Sequence, residues 1–157
     1  MGAIDDRIAA LGLELPPPWT PRGKFAPFRR DGQTVFLSGQ ICEWDGEVTL
    51  AGPVGTDDEA IEEAAKAARV CALNLIYCLR LACDGDLDRV EAFIRVGGFV
   101  NCLSGFPYSP RVINGASDVF HEVFGERGVH ARTAVGVAGL PGNAAVEVDA
   151  IVRVLPG

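Results

Sequence analysis

The chain alternates between stretches with the two-residue hydrophobic period of strands and stretches with the 3.6-residue period of helices. Residues 34–41 (TVFLSGQI) are rich in β-branched and aromatic residues, which favours a strand. Asp45-Gly46 is a hairpin signal between this strand and a short one. Gly97-Gly98 predicts either a bulge or a close backbone approach. The predicted strands are residues 34–41, 47–50, 89–102, 133–138 and 144–154.

Three segments have helical spacing instead. Residues 4–14 predict a short helix that ends before Pro16-Pro17-Pro18. Thr56 and Glu59 have the form of a capping box, and apolar or small residues recur at helical spacing from Ile61 to Leu79. Ser109, as an N-cap before Pro110, predicts the start of a third helix that runs to about residue 124.

The resulting order, β-β-α-β-α-β-β, indicates a two-layer α+β domain with two main helices on one face of a mixed sheet. We expect one domain over residues 1–157, in which residues 1–20 form an N-terminal extension with a short helix. In residues 146–154 (VEVDAIVRV), valines and an alanine occupy one face, and the other face is mixed. That mixed face could meet water or another subunit.

Composition narrows the classes of function. The net charge of −7 over 157 residues argues against nucleic-acid binding. Five cysteines without a C-x-x-C pair, and only two histidines, predict neither a metal site nor a disulfide framework. No apolar run is long enough to span a membrane, and the first residues do not read as a signal peptide. A cytoplasmic protein with free thiols is therefore expected.

Two charged residues flank the turn-like Leu140-Pro141-Gly142-Asn143. Arg132 opens one strand, where its guanidinium could bind a carboxylate through two hydrogen bonds. Glu147 lies in the next strand, where its carboxylate could hold a water or exchange a proton. Each could equally be a surface residue in an ion pair or in solvent. Asp149, on the same face as Glu147, could raise its pKa or belong to a solvated acidic stripe.

Three further residues are candidates for binding. Gly39 allows close approach of a ligand or backbone, and Ser38 could donate a hydrogen bond or bond locally. Asn114, near the start of the third helix, could face a cleft or be an ordinary polar helix residue. Sequence motifs for phosphate loops, dinucleotide binding and esterases do not occur in the chain.

Five segments together resemble the RidA/YjgF family, formerly labelled "endoribonuclease L-PSP". The resemblance covers roughly residues 20–155 and is closest to a divergent branch with H-A-R and I-N-G-A-S motifs. The segments are residues 36–40 (FLSGQ), 98–101 (GFVN), 112–117 (VINGAS), 130–137 (HARTAVGV) and 146–151 (VEVDAI).

This resemblance implies a chorismate-mutase-like α+β fold, in which sheets of a homotrimer form a central barrel with clefts between subunits. It also implies hydrolysis of reactive enamines and imines to 2-keto acids and ammonia, with no cofactor and no metal. By position, Arg132 would bind the substrate carboxylate and Glu147 would orient the hydrolytic water. Ser38, Gly39 and Asn114 would line the cleft.

Three positions depart from the pattern of the deaminases. Phe25 stands where they have a tyrosine in a G-P-Y motif, Ala134 where they have a cysteine, and His130 where proline is usual. These residues would also lie in the binding pocket. The loss of a hydroxyl weakens the expectation of efficient hydrolysis more than that of carboxylate binding.

The sequence thus supports an enamine/imine deaminase-like hydrolase. The alternative is a non-catalytic trimer of the same family that binds a small carboxylate ligand or has a regulatory role. Endoribonuclease activity is disfavoured by the acidic charge and by the lack of a basic or aromatic stripe.

Overall fold

The structure is a computed structural model and describes residues 2–157. It contains a five-stranded sheet, a separate two-stranded hairpin and three α-helices. The strands are β1 (Phe28–Asp31), β2 (Thr34–Ile41), β3 (Glu43–Trp44), β4 (Glu47–Val48), β5 (Val90–Asn101), β6 (Ala131–Val137) and β7 (Val146–Val154). The helices are α1 (Ala3–Ala10), α2 (Asp58–Ala82) and α3 (Ser109–Phe124).

The main sheet has the order β1-β2-β7-β5-β6. All neighbouring pairs are antiparallel except β5 and β6, which are parallel because α3 returns the chain to the same end of the sheet. This places β6 at one edge of the sheet and β1 at the other. The predicted α+β class and the packing of two main helices on one face are confirmed.

The alternation along β7 separates the two faces of the sheet. The side chains from Val146 to Val154 at every second position are at most 2% exposed. Gly98, which pairs with Val148, has Ile113 of α3 directly above it, so this buried face lies under the helices. On the opposite face, Glu147 is half-buried and Arg153 is exposed. We call this second side the open face.

The N-terminal extension packs against the domain. The amides of Ala3 and Ile4, in the first turn of α1, donate to the two carboxylate oxygens of Asp88 at 2.8 Å each. Ile4 and Ile8 are buried.

All five cysteines are free and buried. Cys71 and Cys78, seven residues apart in α2, pack as small apolar residues in the core.

Several local predictions were wrong at the ends of elements. The N-cap of α2 is Asp57, whose side chain accepts from the amide of Ala60, rather than Thr56. Tyr108 precedes α3, and Ser109 is its first helical residue. The strand β1 was not predicted, and the Asp45-Gly46 hairpin forms a separate small sheet. Neighbouring Asp and Thr residues are nearly equivalent as caps, so the sequence pattern alone does not decide between them.

Gly115, in the middle of α3, allows the two main helices to touch. A Cβ atom there would overlap with the backbone carbonyl of Ala65 in α2. We expect Gly115→Ala to lower the free energy of unfolding by about 3 kcal/mol, because backbone cannot move aside as a flexible side chain can. Urea denaturation checks this, with Gly139→Ala as the control, since Gly139 has no atom within 4 Å of its Cβ position. Equal stability of both variants would contradict close helix packing.

Candidate functional site

A cleft of about 660 Å³ lies where the extended N-terminal segment crosses the end of the sheet. We call residues 16–25 of this segment the arm. Strand β2, the β3-β4 hairpin and the loop before β7 form the other walls. The lining residues are Pro16, Pro17, Pro18, Trp19, Thr20, Pro21, Arg22, Phe25, Gly39, Gln40, Ile41, Glu43, Asp45, Gly46, Val48, Asn74, Pro141, Gly142 and Glu147. Most of the arm's contribution is apolar or aromatic, and the volume is sufficient for a small organic ligand.

Glu147 supplies an ionisable group to this cleft. Its carboxylate is half-buried and has no hydrogen-bond partner within residues 2–157. Burial raises the pKa of Glu147 above its ordinary value, and the negative charge of Asp149 raises it further. A carboxylate with a raised pKa is a better proton acceptor from water than an ordinary one, which suits a general base.

Gly39 makes room for this carboxylate. A Cβ atom at Gly39 would lie 3.0 Å from Oε1 of Glu147. The register between β2 and β7 shifts between Leu37 and Gln40, so the Ser38-Gly39 pair forms an irregular step in the strand. The glycine predicted to allow a close approach therefore accommodates the side chain of Glu147.

Ser38 holds the end of the arm. Its hydroxyl donates to the carbonyl of Ala26 at 2.6 Å, and its amide donates to the carbonyl of Pro27 at 3.0 Å. Phe25, just before these contacts, is 53% exposed and borders the cleft. Arg22 pairs with Glu43 through two hydrogen bonds of 2.7 and 3.1 Å. The hydroxyl of Ser38 therefore bonds to a backbone carbonyl twelve residues earlier in the chain, and this contact holds the segment next to Phe25 against β2.

Arg132 lies elsewhere, on the edge strand β6. Its guanidinium donates to Oδ1 of Asn114 at 2.9 Å, to Oγ of Ser117 at 3.0 Å and to the carbonyl of Pro110 at 3.3 Å. All three acceptors are neutral and lie between Pro110 and Ser117 of α3. No acidic side chain within residues 2–157 forms an ion pair with Arg132. Its positive charge is consequently oriented but not neutralised.

His130 lies two residues before Arg132 and contacts the same serine. Its Nδ1 is 2.6 Å from the carbonyl of Gly128, and its Nε2 is 2.9 Å from Oγ of Ser117. Because a carbonyl only accepts, Nδ1 carries the proton, and the neutral Nε2 accepts from the hydroxyl of Ser117. Burial lowers the pKa of His130, and the nearby His121 and Arg132 lower it as well, although the Gly128 carbonyl opposes this shift.

The predicted site residues form two separate groups within one chain. Arg132 pairs in register with Val96 and, through it, with Ala150 on the helix-covered side of the sheet. Glu147 pairs with Phe99, two strands away from β6, and points to the open face. One chain therefore does not bring the guanidinium and the carboxylate together.

The first group, which we call the cleft group, consists of Phe25, Ser38, Gly39 and Glu147. The second, which we call the edge group, consists of Asn114, His130 and Arg132, with Ala134 one step further along β6 on the same side as Arg132. Ala134 is half-buried against the core. Each group combines residues from distant parts of the sequence, so both depend on the fold.

Ser117 contacts two members of the edge group, His130 and Arg132, but was not predicted as a site residue. It lies three positions after Asn114, so both face the same side of α3. The sequence signal that could have identified Ser117 is this spacing from Asn114 within the I-N-G-A-S motif.

Within residues 2–157, no group of three or more His, Cys, Asp and Glu side chains could hold a metal ion. In the same part of the chain, no helix is long and apolar enough to cross a membrane.

Comparison with known proteins decides the family. Residues 5–152 match the family model described as "YjgF/chorismate mutase-like, putative endoribonuclease". The chain belongs to the RidA/YjgF family. The resemblance seen in the sequence is confirmed, and the α+β fold is that of the YjgF/chorismate-mutase-like proteins.

Individual relatives of this RidA/YjgF chain cover nearly its whole length. "Protein TCP17" from Trypanosoma cruzi is 39% identical over 97% of this chain and 94% of its own. Atu1372 from Agrobacterium tumefaciens, a protein of unknown function, is 39% identical with a TM-score of 0.86, covering 96% of this chain and 91% of its own. A "putative endoribonuclease" from Shewanella oneidensis is 31% identical with a TM-score of 0.90, covering 98% of this chain and 100% of its own.

Proposed function

We propose that the protein hydrolyses 2-imino acids, and their enamine tautomers, to 2-keto acids and ammonia. The observation that carries this proposal is the guanidinium of Arg132, which neutral acceptors hold at the edge of the sheet without an acidic partner. Such a group fits the carboxylate that all 2-imino acids share. No metal or organic cofactor is required for this reaction.

The reaction also needs a proton acceptor, for which Glu147 is suited. Glu147 would take a proton from water as the water oxygen attacks the carbon of the protonated imine, and the C=N electrons would move to the nitrogen to give a neutral tetrahedral carbinolamine. Glu147 would return that proton to the nitrogen. The C–N bond would then break, and ammonia would leave as the carbinolamine hydroxyl gives its proton to Glu147 and its O–H electrons form the C=O bond. The raised pKa of Glu147 supports this exchange, because the same group must both accept and return a proton.

The two groups of residues would meet in an assembly of several copies, and we propose a homotrimer. In a rotationally symmetric ring, the edge of one copy contacts a different surface of the next, so the edge group could face the cleft group of a neighbour. The open face supports an assembly, since Phe36 is 46% exposed and Val135 is 40% exposed on it. Both are large apolar side chains that a neighbouring copy would cover.

The walls of the cleft indicate which side chains the substrate would carry. Trp19 and Phe25 of the arm, together with Ile41 and Val48 of the other walls, give the cleft an apolar lining. Glu43, Asp45 and Glu147 add negative charge that Arg22 only partly balances. Imines with apolar side chains would therefore fit better than those with acidic side chains.

A coupled assay tests the activity. An amino-acid oxidase would release imines of leucine, phenylalanine, alanine and glutamate, and semicarbazide would trap the imine that escapes hydrolysis. We expect the protein to reduce trapping and to speed keto-acid formation, most strongly with leucine and phenylalanine. Unchanged trapping across the four imines would contradict the proposal.

Mixing two inactive variants tests whether the site lies between copies. Arg132→Ala and Glu147→Gln would each keep at most about one hundredth of the wild-type activity alone. Co-refolded mixtures would contain interfaces with an intact Arg132 and an intact Glu147. If copies combine at random, about one quarter of the wild-type activity should return. No recovery in mixed oligomers, or a monomer by light scattering, would contradict a site shared between copies.

A second candidate function is carboxylate binding without turnover. It is favoured by the cleft group, in which Phe25 offers no hydroxyl and the hydroxyl of Ser38 already donates to Ala26. Tight binding of 2-keto acids together with unchanged imine trapping would support this alternative. The endoribonuclease description of the relatives is not carried over, because a net charge of −7 disfavours binding to RNA.

A further inference from the structure

We infer that Ser117 and His130 are positioning residues, which together hold the guanidinium of Arg132 in the orientation that binds a carboxylate. This inference rests on the proposed role of Arg132. The structural basis is a continuous chain of hydrogen bonds that runs from Arg132 through Ser117 and His130 to the carbonyl of Gly128.

The hydroxyl of Ser117 is the central link. A serine hydroxyl has one proton to donate and two lone pairs that accept. The hydroxyl donates its hydrogen bond to Nε2 of His130 at 2.9 Å. A lone pair of the hydroxyl oxygen therefore remains to accept from the guanidinium at 3.0 Å. Without that acceptor, the hydroxyl could rotate its proton towards the positive charge of Arg132, which would be repulsive. His130 thus determines which end of the serine dipole Arg132 meets.

The imidazole is itself held in place on several sides. Its Nδ1 donates to Gly128, and the ring of Phe120 meets it edge-on with centroids 5.9 Å apart. The ring of Phe93 lies 6.5 Å away. The charged or titratable groups that face it are Arg132 and His121, whose ring centroid is 5.5 Å distant. Both would repel an imidazolium, so the neutral ring is the form that fits this environment.

Protonation of His130 would disturb the chain of hydrogen bonds. Nε2 would become a donor, the proton of Ser117 would lose its acceptor, and a second positive charge would lie beside Arg132. Because burial lowers the pKa of His130 below its ordinary 6.5, this change occurs below pH 6.5. Affinity for a carboxylate should therefore be constant above about pH 6.5 and should fall as the pH falls through the lowered pKa.

Three variants test the inference through the dissociation constant of 2-ketoisocaproate, measured by calorimetry. Ser117→Ala removes one buried atom, and His130→Leu removes the acceptor. We expect each to weaken binding about tenfold and to raise KM with little change in kcat. His130→Gln can place an amide oxygen near the position of Nε2 without titrating. It should bind within about threefold of the wild type and lose the pH dependence.

His121→Gln is the matched control. It makes the same substitution next to His130, but no side-chain hydrogen bond joins His121 to Ser117. The loss of affinity at acidic pH should therefore persist, and it should shift to higher pH because His121 lowers the pKa of His130. A second readout does not need a ligand: the Nε–H resonance of Arg132, assigned with Arg132→Lys. In the wild type and in His130→Gln, this resonance should indicate an ordered Arg132 side chain. In Ser117→Ala and in His130→Leu, it should indicate a mobile side chain.

The two readouts separate the possible failures. If the wild type binds no 2-keto acid, the proposed function of Arg132 is wrong, while the resonance still reports whether Ser117 and His130 order its side chain. If Ser117→Ala and His130→Leu leave both the dissociation constant and the resonance unchanged, the positioning role is overturned.

Discussion

Arg132→Ala is expected to weaken binding of a 2-keto acid by about 100- to 1000-fold, because two hydrogen bonds from a charged donor are lost together. The three neutral acceptors on α3 would be left without their donor. Calorimetry with 2-ketoisocaproate measures the loss, and kcat/KM for imine hydrolysis should fall by at least the same factor. This is the largest effect on binding that we expect from a single side chain.

Two companion variants sharpen this test. Arg132→Lys keeps the charge but not the planar fork, so it should recover only part of the affinity. Arg111→Ala removes an exposed arginine from α3, where it pairs with Asp58 and lies over the ring of Tyr108. It should leave binding unchanged. Equal affinities of Arg132→Ala and Arg111→Ala would show that Arg132 does not bind the carboxylate.

Glu147→Gln is expected to lower kcat by about 100- to 10,000-fold with little change in the affinity for 2-keto acids. The amide has nearly the same size as the carboxylate but cannot accept a proton from water. Steady-state kinetics in the coupled assay, with the binding constant measured in parallel, separates the two effects. A variant that loses affinity and rate equally would instead indicate that Glu147 contacts the ligand directly.

The pH profile gives an independent check on Glu147. The ionised carboxylate is the active form, so kcat should fall as the pH falls through a pKa above the ordinary 4.5. Asp149→Asn removes the negative charge that contributes to this shift, so it should move the acid limb to lower pH while retaining activity. In Glu147→Gln, the limb that belongs to this residue should be absent from the remaining activity.

The same shift has a consequence for stability. A carboxyl whose pKa is raised on folding favours the folded state below its unfolded pKa, and this contribution is lost as the pH rises through the folded pKa. At neutral pH the ionised Glu147 therefore costs stability, and Glu147→Gln should unfold at a higher temperature than the wild type. A lower melting temperature would mean that the carboxylate has a stabilising partner.

Much of the secondary structure could be predicted because it follows from local periodicity. The strand predicted at residues 34–41 is β2, and the long helix behind residue 56 is α2. Strand β1 was not predicted because it has only four residues, Phe28–Asp31, at the exposed edge of the sheet. Its residues show no alternation between buried and exposed positions. The observed N-caps of α2 and α3 each differ from the predicted ones by one residue. Capping preferences do not distinguish between neighbouring positions with this accuracy.

The candidate site also has parts that the sequence predicts and parts that it does not. Arg132 and Glu147 could be identified from the resemblance to the family, and Asn114 from the same motif. The cleft under the arm and the role of Ser117 could not, since both arise where segments distant in sequence come together. The arm reaches the cleft because Ser38 binds the carbonyl of Ala26. Ser117 contacts His130 because β6 returns beside α3.

The sequence by itself determined where apolar and polar residues alternate, which face of β7 is apolar and to which family the chain belongs. These properties follow from residue order alone. Only the tertiary structure decided that Arg132 and Glu147 lie on opposite sides of one sheet. The reason is geometric: side-chain direction in a sheet depends on strand register, and the register between β5, β6 and β7 is set by long-range pairing.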